Sequence, residues 1–145
     1  MSKEYGFSLI EVLLSIAILS ILVGIGAPRY HVLSVRNDLD IAINTIAQKA
    51  HRAQVLSEAA SSNITWGVYI KSGSITLYKG ASYAARDTTA DEIALLPTTI
   101  TPSASTEMLF QKITGTLTAP VSLTLNSTTN ESRTISINTK GTVSY

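Results

Sequence analysis

The chain has 145 residues, a formal net charge of +1 and no cysteine. A near-neutral balance gives no general attraction to nucleic acid or to an acidic surface, and the missing thiols exclude disulfides, zinc–thiolate sites and a cysteine nucleophile. The length accommodates one domain beside a membrane anchor, with about 118 residues left once leader and anchor are set aside.

In chain order, Met1–Gly6 is a short polar leader carrying Lys3, and Phe7–Ala27 is an almost wholly apolar run. As a helix rising about 1.5 Å per residue, that run spans roughly 30 Å, the hydrocarbon thickness of a bilayer. It is apolar on every face, so a transmembrane segment over 7–27 is expected. Glu11 interrupts it. A carboxylate near the start of a membrane span is costly alone and calls for a partner. A secretory signal cut near Ala27 fits less well: the run is too long, carries a glutamate, and would place Pro28 first in the mature chain. Gly24, Gly26 and Pro28 weaken the helix at the far end of the run, which predicts a kink there.

The string Gly6-Phe7-Ser8-Leu9-Ile10-Glu11-Val12 resembles the cleavage and assembly signature of type IV pilins and type II secretion pseudopilins. The resemblance implies cleavage by a prepilin peptidase between Gly6 and Phe7, and N-methylation of the new terminal Phe7. It further implies that Glu11 pairs with the terminal amine of a neighbouring subunit. Carboxylate and ammonium, each costly alone in apolar surroundings, become tolerable together and set the register of assembly. Around Gly24, Gly26 and Pro28 it implies a segment that loses helicity in the filament. Many pilins close their C-terminal loop with a disulfide; this chain, without cysteine, must hold that region by packing.

From Arg29 to about Ala60 the pattern is amphipathic: Leu39, Ala42, Ile43, Ile46, Ala50, Ala53 and Ser57 recur at three- and four-residue steps. With the apolar run, this gives one long helix over 7–60, ending near Ser61-Ser62-Asn63. Residues 61–145 read as a β-rich head. Trp66–Ile70 and Ile75–Tyr78 flank a turn at Lys71–Ser74. Gly80–Glu92 reads as a polar loop. Glu107–Lys112, Val121–Leu125, Arg133–Asn138 and Thr142–Tyr145 read as further strands, with turns at Gly115 and Lys140-Gly141. Leu123, Leu125, Ile135 and Ile137 alternate with Ser and Thr, one face buried and one hydroxyl-rich. The expected fold is α+β: a long N-terminal helix, its first half transmembrane, packed on a small antiparallel sheet domain. Trp66-Gly67-Val68-Tyr69 and the run from Arg133 to Val143 resemble the pseudopilin H and FimT-like group.

No catalytic constellation is present. His31 and His51 stand apart, and no nucleophile elbow, P-loop or dinucleotide fingerprint occurs. The expectation is a non-enzyme without a cofactor. Asp87, Asp91 and Glu92 form a candidate calcium cluster, although their spacing fits no EF-hand. Arg133 and Lys140 are a candidate DNA contact on the last hairpin, a thin footprint for nucleic acid. Asn63, Asn126 and Asn130 have N-x-S/T spacing, which arises readily by chance in so Ser/Thr-rich a chain.

The resemblance implies a structural subunit, major or minor, of a type IV pilus-like filament. Its partners would be other pilin subunits, the prepilin peptidase, an inner-membrane assembly platform and, before assembly, membrane lipid. The precursor would be a single-pass protein of the cytoplasmic membrane and the product an extracellular or periplasmic filament. The alternatives are a type II secretion minor pseudopilin, or a competence pilin that binds DNA.

Overall fold

The computed structural model describes residues 6–59 and 64–145, except for the side chains of residues 25–29. It divides into two compact units, Met1–Ser34 and Val35–Tyr145. One helix, α1 (Leu9–Ala59), runs through both. The expected end near Ser61-Ser62-Asn63 lies outside the described residues; α1 itself is helical to Ala59.

The first unit is helix from Leu9 onward. Its start is set by Ser8, whose side-chain and backbone oxygens both accept from the Glu11 amide, at 3.4 and 3.1 Å. This is an N-cap serine with a glutamate three residues on, the arrangement that satisfies otherwise orphaned amides of the first turn. Ser15 and Ser20 donate their hydroxyls to the carbonyls of Glu11 and Ile16, so neither leaves a polar group unpaired among apolar neighbours. α1 is helical through Gly24, Gly26 and Pro28, where a kink is expected. Pro28 lacks an amide to donate, so one intrahelical hydrogen bond is missing there. Among the described residues, no helix is long and apolar enough to cross a membrane. The described side chains of the apolar run stop at Gly24.

The second unit packs the other part of α1 against two antiparallel four-stranded sheets. Sheet 1 has the order β3-β2-β1-β5, from β1 (Trp66–Lys71), β2 (Ser74–Lys79), β3 (Asp87–Leu95) and β5 (Thr106–Phe110). Sheet 2 has the order β4-β6-β7-β8, from β4 (Ile100–Pro102), β6 (Val121–Ser127), β7 (Ser132–Ile137) and β8 (Val143–Ser144). The stripe from Leu39 to Ser57 is buried throughout, joined by Val35. It shares one core with Val68, Ile70, Ile75, Leu77, Met108 and Phe110 of sheet 1 and Ile100, Leu123, Leu125, Ile135 and Ile137 of sheet 2. Ala42, Ala50 and Ala53 sit in that stripe almost without exposure.

The β1–β2 hairpin forms with Lys71 opposite Ser74 and Gly73 at φ 83°. Two strands differ from expectation. The supposed polar loop Gly80–Glu92 turns into β3 at Asp87, where Thr88, Thr89, Asp91 and Glu92 hide the alternation of an exposed edge strand. β4 was not expected; it is three residues long, with Pro102 at its end on the edge of sheet 2, where a missing amide is tolerated.

Ser57, fully buried, ties the end of α1 to sheet 1. Its hydroxyl lies 3.2 Å from the Trp66 amide, which donates to it, and its carbonyl accepts from the Ile113 amide at 3.0 Å. On the face of sheet 1 away from the core, Tyr83 stacks on Tyr69 with centroids 3.9 Å apart, and the Arg86 guanidinium lies 3.8 Å from the Tyr83 centroid. Tyr78 is buried beneath and donates its hydroxyl to Glu107. Burial, and then the Glu107 carboxylate, push the phenol far above its usual range, so it stays protonated and a donor.

Candidate functional site

The segment with the chemical signature lies in the first unit. Phe7 is 82% exposed, and the large apolar side chains from Leu9 to Val23 are exposed on every side of the helix. A helix apolar all round has to be covered, by lipid or by other helices. Glu11 stands in its first turn, where the helix dipole favours a carboxylate. Ser8 is the residue here that sequence reasoning passed over, and the S-x-x-E spacing of Ser8 and Glu11 was the available signal. Gly6 and Phe7 precede the helix in non-helical backbone, so the bond between them is not locked in a hydrogen-bonded turn. The leader residues Met1–Tyr5 lie outside the described residues.

The other candidate residues fall in the second unit and do not gather. Arg133 pairs with Asp40 of α1 and so faces the helix, while Arg36 pairs with Glu131 at 2.6 Å. Lys140 sits in the turn before β8, its carbonyl accepting from the Gln54 amide at 3.0 Å. Asp40 and Gln54 are about 21 Å apart along α1 at 1.5 Å per residue, so Arg133 and Lys140 are held at distant points.

The carboxylates of β3 also have separate engagements. Asp87 accepts from the amide and hydroxyl of Thr89, which hold it below the usual carboxylate range. Asp91 pairs with Arg86 at 2.8 Å. Glu92 faces α1 and takes Arg52 at 2.6 Å and Lys49 at 3.0 Å. Adjacent strand residues point to opposite faces, so Asp91 and Glu92 cannot chelate one ion together. Among the described residues, no group of carboxylates and histidines is placed to hold a metal. His31 and His51 are exposed and apart on α1; Asn126 and Asn130 are exposed, and Asn63 lies outside the described residues.

The Glu92 cluster has a consequence for pH. The hydrogen bonds from Arg52 and then Lys49 lower the Glu92 pKa below its ordinary 4.5. A depressed folded-state value gives stability that is present above the unfolded pKa and lost as pH falls through the folded one. The thermal midpoint of the second unit is therefore expected to fall as pH drops below about 4.5, and Glu92→Gln should flatten that dependence. Calorimetry between about pH 3 and 7 checks it. The sites are partly open to solvent, so the effect is modest.

Comparison with known proteins agrees with the N-terminal geometry. Residues 1–27 match the prokaryotic N-terminal methylation motif, the signature of type IV pilins and pseudopilins. The motif supports a type IV pilin-like or pseudopilin-type protein and points to a structural subunit, not an enzyme. It implies a membrane-anchored precursor, processing by a prepilin peptidase and assembly with other pilin subunits. No curated protein and no solved structure matches the chain.

Proposed function

We propose that this chain is a structural subunit of a type IV pilus-like filament. Its precursor inserts through Phe7–Ala27, is cut between Gly6 and Phe7, is N-methylated on Phe7, and then exchanges lipid for the helices of neighbouring subunits. The observation that carries this is the match of residues 1–27 to the methylation motif, on a helix whose apolar side chains are exposed all round. Glu11 and the Phe7 amine would fix the register, and Gly24, Gly26 and Pro28 would be the place where the helix loosens on assembly. The Val35–Tyr145 unit would form the exposed surface. Extrusion would be powered by other proteins of the assembly platform.

Intact-mass and N-terminal peptide analysis of the protein from its native membranes tests the reading. The expected chain starts at N-methylated Phe7. A chain retaining Met1–Gly6 in cells with a working prepilin peptidase would leave a plain anchored β domain and sink the filament reading. The pseudopilin alternative shares every step up to assembly. It differs in the deletion strain, which would lose secretion of other proteins instead of surface filaments.

A further inference from the structure

The outer edge of β5 is open. β5 is the last strand of sheet 1, and beyond it only Phe110 is bridged, to Leu117. After that bridge the chain diverges from β5 toward β6, leaving a cleft lined by Glu107 and Leu109 on one side and Leu117, Thr118, Ala119 and Val121 on the other. Thr106–Leu109 therefore presents backbone donors and acceptors to a cleft that no strand of the described residues fills. Such an edge is a template for strand pairing unless it is blocked by charge, proline or a bulge. Thr106–Leu109 contains no proline, and its one charge, Glu107, is held by the Tyr78 hydroxyl and the Tyr83 amide.

The cleft has a chemical preference as well. Glu107 stands at its margin and accepts from the Tyr78 hydroxyl and from the Tyr83 amide at 2.7 Å, both through Oε1. Two neutral donors orient the carboxylate without cancelling its charge. Among the described residues it makes no ion pair, whereas Asp40, Asp91, Glu92 and Glu131 all do. Leu109, Leu117 and Val121 make the remainder apolar, and Thr118 and Ala119 are small enough to leave it open.

We propose that the β5 edge receives an extended peptide segment from a partner protein. The segment adds a strand to sheet 1 and, on the face that carries both Glu107 and Leu109, sets a lysine or arginine on Glu107 and, two residues along, an apolar side chain on Leu109. Backbone pairing supplies the affinity, and a basic and an apolar side chain two residues apart supply the selectivity. At the other edge of the same sheet, β3 exposes Ile93 and Leu95 but each of its carboxylates is already engaged within the chain.

The test uses the full chain in detergent micelles and a fluorescein-labelled Thr-Val-Thr-Lys-Thr-Val-Thr peptide, followed by anisotropy, with the lysine-to-glutamate peptide as comparison. Saturable binding of the lysine peptide is expected, with the glutamate peptide at least about tenfold weaker. Glu107→Gln keeps both hydrogen bonds and should erase that difference. Ala119→Lys leaves Glu107 and its donors untouched, fills the cleft with a cation, and should abolish binding. No saturable binding up to about 1 mM, or equal binding by wild type and Ala119→Lys, overturns the proposal. Neither result depends on leader cleavage or filament assembly.

Discussion

Glu11→Ala and Glu11→Gln are both expected to abolish detectable filaments while leaving leader cleavage intact. Removing one partner of a charge pair in apolar surroundings typically costs about 3–5 kcal/mol, because the other charge is left uncompensated. At about 1.4 kcal/mol per tenfold, that is a hundredfold or more at every subunit contact. The glutamine variant is the informative one. Glu11 also stands three residues after the N-cap Ser8, and glutamine serves in that position as well as glutamate. Loss of filaments in both variants, by immunoblot of sheared material against the membrane pool, would place the requirement on the charge. Normal filaments from Glu11→Gln would reduce Glu11 to a helix-start residue and remove the pairing from the mechanism.

Gly67→Ala should destabilise the second unit by about 3 kcal/mol or more, the range of severe overpacking. A Cβ at Gly67 would lie 2.9 Å from the Met108 carbonyl oxygen and would overlap the Tyr78 ring and hydroxyl. Neither neighbour can give way easily. The Met108 oxygen belongs to β5, whose residue Leu109 is paired with Gly67 itself, and Tyr78 is pinned by Glu107 and packed edge-on against Tyr83. A domain of this size loses several degrees of midpoint per kcal/mol, so a fall of 10 °C or more is expected on thermal unfolding. Adding Tyr78→Leu should restore part of the loss by removing the ring, though not the backbone contact. A Gly67→Ala protein that melts like wild type would mean that Tyr78 has a second accessible position.

The helical stripe was legible because burial is periodic: each residue from Leu39 to Ser57 assigned to the core is buried. Leu123, Leu125, Ile135 and Ile137 were legible for the same reason at period two. β3 was not, since an edge strand half open to water keeps polar residues at most positions and loses the alternation that marks strands. β4 is too short to have a period. The cleavage and assembly positions proposed for Gly6, Phe7 and Glu11 rest on chemistry that is local in sequence. Arg133 shows the limit of that approach. Its partner Asp40 is distant in the chain, so only the tertiary fold reveals that this cation has a structural engagement. The same holds for Asp91 and Glu92, adjacent in sequence but directed to opposite faces.

The two sheets of the second unit share one core with the stripe of α1 between Val35 and Ser57. Two sheets that share a helix in this way lose their apolar cover together when the helix leaves. The unit should therefore behave as a single cooperative foldon, its slowest-exchanging amides in the buried turns of α1 and in the central strands of both sheets. Without cysteine to hold a partly opened form in place, a subunit whose helix is pulled away has no locally closed remnant to fall back on. It is either folded as a whole or exposed to proteases as a whole.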